Sequence, residues 1–144
     1  MTAATRLQLF SALTIAVCFA DALSAAEVRA KADVTCQPTG ISLQYDCSIR
    51  LTQARTGAPL TDVTVMVGAD MPSMPMMHNV RPMKATAGRE SGSYEIRLDL
   101  EMTGDWAVRL DLTREVRDRV VKVLRFEQDR VGPTPAKAPS KNKH

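Results

Sequence analysis

Between residues 33 and 127 apolar and polar side chains alternate with a period of two, the spacing of strands that bury one face. Tyr94, Ile96, Leu98, Leu100 and Met102 alternate with Glu95, Arg97, Asp99 and Glu101. Thr103-Gly104-Asp105 then turns the chain, and Trp106, Val108, Leu110 and Leu112 resume the alternation against Arg109 and Asp111. The two runs read as a hairpin whose inward aromatic, Trp106, anchors the core. Similar runs lead from Ile41, Leu43 and Tyr45 into Cys47, Ile49 and Leu51, and from Val63 to Val67. The stretch Val116 to Phe126 also fits helical spacing through Val116, Val120 and Leu124, but its β-branched residues favour a closing strand from Val120 to Phe126. The pattern predicts an all-β chain, an immunoglobulin-like β-sandwich of about seven strands. Such a fold by itself assigns no function.

The two ends read differently. Arg6, an apolar run from Leu7 to Ala20 and the small-residue stretch Ala22 to Ala26 have the three-part layout of a secretory signal peptide, with cleavage expected after Ala26. The run is shorter than the roughly 20 residues that span a bilayer, so a periplasmic or secreted protein is expected rather than an anchored one. Residues 131–144 are rich in Pro and Lys and poor in apolar side chains, and are expected to form a disordered tail. The folded domain is then 27–130.

This division changes the meaning of the charge. The whole chain carries a formal +3, but setting aside Arg6, Asp21 and the tail's Lys137, Lys141 and Lys143 leaves fifteen bases and fifteen acids. A neutral body lacks the basic footprint of a nucleic-acid binder, and the tail offers only weak contact with an anionic membrane surface. Cys18 leaves with the signal, so the mature chain holds Cys36 and Cys47. An even pair in an exported chain predicts a disulfide, here between neighbouring strands joined at Gln37-Pro38-Thr39-Gly40. A thiolate metal pair or redox couple is the weaker alternative, because the spacing is neither CxxC nor a zinc pattern.

The distinctive chemistry is sulfur. Residues 70–84 read Asp-Met-Pro-Ser-Met-Pro-Met-Met-His-Asn-Val-Arg-Pro-Met-Lys, which places Met71, Met74, Met76, Met77 and Met83 beside His78. Pro72, Pro75 and Pro82 lack amide donors and predict a semi-rigid loop after a strand ending near Val67-Gly68. Thioethers are soft ligands that need no deprotonation and are not consumed by disulfide formation, so the set suits Cu(I). Met102, at the end of an inward row, is a core residue by default and a further ligand if it abuts the loop. The competing expectation is an apolar Met-Pro patch that docks a membrane or periplasmic partner without metal, or that packs in the core.

No catalytic set accompanies this loop. The histidines are His78 and the C-terminal His144, neither beside a nucleophile, and Glu95, Asp99 and Glu101 sit on a strand's outer face. Gly88, Gly92 and Gly104 mark turns, with no phosphate-cradling motif. A binding protein is expected, not an enzyme. Its partners would be exported or membrane proteins that accept or donate copper.

The Met-Pro-x-Met-Pro loop, followed by Gly92-x-Tyr94 and Leu100-x-Met102-x-Gly104-x-Trp106, resembles the YtkA-like domain, the module also found in FixH-type proteins. The resemblance covers roughly residues 33–127. It implies an exported or membrane-anchored immunoglobulin-like sandwich linked to heavy-metal handling or to assembly of copper-containing oxidases, with Met71, Met74, Met76, Met77 and His78 at the metal-site positions. FixH-type members keep a membrane helix, for which the apolar run here is too short.

Overall fold

A computed structural model describes residues 28–114 and 117–135. The expected signal segment and the end of the tail lie outside these residues. One antiparallel sheet contains, in order, β1 (Ala30–Pro38), β2 (Gln44–Gln53), β6 (Ser93–Asp99) and β5 (Thr86–Ala87). The other contains β4 (Asn79–Lys84), β3 (Val63–Asp70), β7 (Gly104–Arg114), β8 (Asp118–Phe126) and β9 (Val131–Pro133). The described residues form an all-β sandwich. With strands lettered along the chain, the order is that of immunoglobulin-type sheets, A-B-E-D facing C′-C-F-G, with β9 added beside the last.

The period-two alternation works as a sorting rule. Tyr45, Cys47, Ile49 and Leu51 of β2, Tyr94 and Leu98 of β6, Val63, Val65, Val67 and Ala69 of β3, and Trp106, Val108, Leu110 and Leu112 of β7 are all buried in one core. The polar residues between them face water, where Arg97 clasps Asp46 at 2.7 and 3.0 Å. At the start of β7, Arg125 clasps Asp105 at 2.7 and 2.8 Å. Tyr45 and Phe126 meet edge to face across the two sheets, their ring centroids 4.9 Å apart.

The disulfide joins Cys36 and Cys47, directly opposite each other in the β1–β2 register. Several expectations about pairing need correction. β6 and β7 do not form a hairpin: β6 pairs with β2 and β5, whereas β7 pairs with β3 and β8. Alternation identifies the buried face of each strand and is silent about the neighbour, so the turn at 103–105 is a crossover between sheets. The strand expected from Ile41 begins at Gln44 instead, because Leu43 has a positive φ of 60° and Ile41 projects from the turn. The segment expected as tail starts with β9, whose Val131 pairs with Phe126 and packs against the core. β8 starts at Asp118, two residues before the expected Val120.

Two measurements probe this scaffold. The Cys36→Ala/Cys47→Ala variant should keep the sandwich but lose about 2–3 kcal/mol, since the bridge closes a short loop of the unfolded chain; urea unfolding with and without reductant checks this. The Arg125 and Arg97 guanidiniums hold Asp105 and Asp46 below the ordinary carboxylate range. A depressed folded pKa contributes stability above the ordinary aspartate range, which is lost as pH falls through the lowered value. Asp105→Asn should therefore lower stability at neutral pH and flatten the loss seen below about pH 4.

Candidate functional site

Three of the connections at one end of the sandwich build the site: the β1–β2 turn (39–43), the β3–β4 loop (71–78) and the β6–β7 crossover (100–103). The β3–β4 loop is two consecutive β-turns. Met74 N–H donates to Met71 C=O at 3.1 Å, and Met77 N–H donates to Met74 C=O at 3.2 Å. Pro72 and Pro75 occupy the second position of each turn, where their fixed φ is already correct. Met76, third in the second turn, has φ of 70°, as a type II turn requires. The sequence Met-Pro-x-Met-Pro-x-Met is thus a structural repeat, with Met71, Met74 and Met77 at its corners. Successive corners lie within about 7 Å of each other at Cα, which is the defining property of a β-turn. Met71 N–H to His78 C=O, at 3.4 Å, closes the loop base.

Exposure divides the methionines. Met71 is 4 % exposed and belongs to the core, so it anchors the loop. Met74 is half-buried against that core, while Met76 and Met77 are 92 % and 75 % exposed. Met83 is not in the loop. It lies in edge strand β4 opposite Val67, about 16 Å along the strand from His78 at the usual rise per residue. The expectation that 70–84 is a single loop is corrected accordingly: β3 continues to Asp70 through a register irregularity at Gly68, and an edge position tolerates Pro82. Met102 belongs to the crossover rather than to β6 and packs against the core.

His78 connects the loop to the crossover. Its Nδ1 lies 2.5 Å from Oε2 of Glu101, a residue that strand periodicity had placed on a solvated outer face. Nothing in the local spacing distinguishes it from the other outer-face acids, Glu95 and Asp99. The crossover itself is pinned from both sides: Leu100 N–H donates to Leu43 C=O at 2.9 Å, and the Trp106 indole N–H donates to Met102 C=O at 3.1 Å. Gly104 completes the arrangement. Its φ is 139°, and a Cβ there would stand 2.8 Å from the Met71 methyl carbon.

Among the described residues no group of three or more His, Cys, Asp or Glu side chains is placed to hold a metal. The soft donors carried by this loop are thioethers and one imidazole, ligand types that suit a soft monovalent ion. An open trough on the outer face of the β1-β2-β6-β5 sheet, lined by Gln37, Asp46, Lys84 and Arg97, is separate from this loop and has mixed charge. Among the described residues no helix is long and apolar enough to cross a membrane.

Gly104→Ala should destabilise the chain by about 1–3 kcal/mol, from backbone strain together with displacement of Met71. Chemical denaturation would show the loss, and methyl NMR of Met71 would show a changed environment.

The motif residues also have distinct structural duties. Gly92, with φ of 74°, comes so close to β2 that a Cβ would lie 2.8 Å from Leu51 C=O, and the Tyr94 hydroxyl donates to Leu60 C=O at 2.9 Å and Thr61 C=O at 3.1 Å. These contacts secure the opposite end of the sandwich. No curated protein and no solved structure gives a significant match to the chain. The family model described as YtkA-like matches residues 25–111, more than half of the chain, and includes both Gly92-x-Tyr94 and Met102-x-Gly104-x-Trp106. The protein belongs to the YtkA-like family.

Proposed function

We propose that this YtkA-like protein is an exported Cu(I)-binding protein, acting as a chaperone, buffer or resistance factor in the periplasm or outside the cell. One observation carries the reading: two proline-set turns present Met74, Met76 and Met77 in succession beside His78 at one open end of the fold. Thioether sulfur is soft, polarizable and neutral, so it binds a soft monovalent cation without releasing a proton. Exposure of Met76 and Met77 suits transfer, because a recipient's ligands can approach the ion while Met74 and His78 still hold it. Met71 contributes as the buried root of the loop. Copper here is cargo, and the disulfide keeps the remaining mature cysteines out of its coordination.

A second reading, docking of a membrane or periplasmic partner without metal, draws support from Ile41. It is 64 % exposed in the β1–β2 turn, at the same end as Met76 and Met77, and gives that end three large exposed apolar side chains. The Met74→Leu/Met76→Leu/Met77→Leu variant separates the readings because leucine preserves apolar surface and removes sulfur. In a Cu(I) titration against a competing chelator, the variant should bind about 100-fold more weakly or worse, beyond the usual cost of losing an outer-shell partner. Equal affinity of the variant and the unaltered chain would overturn the copper reading.

A further inference from the structure

We infer that Glu101 is a positioning residue that holds His78 as the Nδ1–H tautomer and so presents Nε2 as the nitrogen ligand for the soft ion. The inference rests on the copper reading above and adds to it a specific atom and a residue that the loop does not contain. A carboxylate accepts hydrogen bonds and does not donate them, so in the neutral ring the 2.5 Å contact between Glu101 Oε2 and His78 Nδ1 selects the tautomer with its proton on Nδ1. Nε2 then keeps its lone pair. Metal-bound imidazoles commonly have this arrangement, with the second nitrogen donating to a carboxylate that sets ring orientation and raises ligand basicity.

The positioning is built from the core outward. Trp106 is completely buried and its indole N–H needs an acceptor, which is Met102 C=O. On the other side of Glu101, Leu100 is buried and bonded through its amide to Leu43 C=O. Glu101 therefore projects from a backbone held at both neighbours, even though its own side chain is 59 % exposed. His78 is held at the base of the Met loop by its carbonyl bond from Met71, one residue before β4 begins. The ring spans the two connections, with its side chain only 28 % exposed. Glu101 and His78 are 23 residues apart, so the sheet crossover alone brings them together.

Two readouts on the purified full chain test this. The first needs no copper: long-range ¹H–¹⁵N spectra of the His78 ring, recorded above the ordinary imidazole range so that the neutral form is observed. The unaltered chain should show Nδ1–H. Glu101→Ala should shift the population toward Nε2–H, the form a free imidazole side chain favours in water. Predominant Nε2–H in the unaltered chain, or no change in Glu101→Ala, would overturn the positioning role. The second readout is Cu(I) affinity by chelator competition. Glu101→Ala should weaken binding by about 10-fold or more. His78→Ala should weaken it at least as much, and Glu101→Ala should add nothing further in the His78→Ala background. An undiminished affinity in Glu101→Ala, with the expected tautomer change, would overturn the role in ligand presentation alone. Failure of the unaltered chain to bind Cu(I) would overturn the copper reading, whatever the tautomer.

Discussion

The indole N–H of Trp106 is the constraint on which the candidate site depends. A tryptophan buried to the last atom contributes a large apolar surface but also one donor that water cannot satisfy. Its bond to Met102 C=O satisfies that donor and, in doing so, fixes the path by which the chain leaves one sheet and enters the other. Glu101 takes its direction from that path. Gly104 sits within the same turn and leaves room for the Met71 methyl, so the root of the methionine loop packs where a side chain would otherwise stand. Core burial and site geometry are thus one arrangement.

The methionines divide their roles along the two turns. Met71 is buried in the core, Met74 packs against it, and Met76 and Met77 are exposed to solvent before His78 returns the chain to the loop base. Pro72 and Pro75 limit the freedom of the unfolded loop and thereby reduce the ordering cost of presenting several thioethers together. Met76 adopts a left-handed backbone that a methionine reaches only at some cost, and such local strain is found where surrounding structure or function requires the conformation. The two short motifs that lie within the family match secure opposite ends: Gly92 and Tyr94 hold the β2–β3 connection, whereas Met102, Gly104 and Trp106 hold the end that carries the methionines.

Much of this is legible in the amino-acid sequence. The inward residues of β2, β3, β6 and β7, the Cys36–Cys47 pair and the identity of the methionine-rich loop are all visible in spacing and composition. Proline content suggests a loop around Met83, while the edge strand β4, where Met83 lies, accommodates proline equally well. The apolar alternation at Ile41 and Leu43 continues through a turn, where backbone φ and not side-chain pattern sets the start of β2. Glu101 could not be singled out, since an exposed acid on an alternating strand looks the same whether or not a histidine faces it.

The sequence by itself determined which side of each strand is buried, because alternation in an extended backbone is a local property readable from consecutive residues. It also determined that the Met-Pro segment turns, because proline and its spacing act within four residues. Only the tertiary structure decided which strands are neighbours, that β6 and β7 lie in opposing sheets, and that Glu101 meets His78. Those relations join residues distant in the chain, and they follow from how two sheets stack and where the crossover must run to satisfy a buried tryptophan.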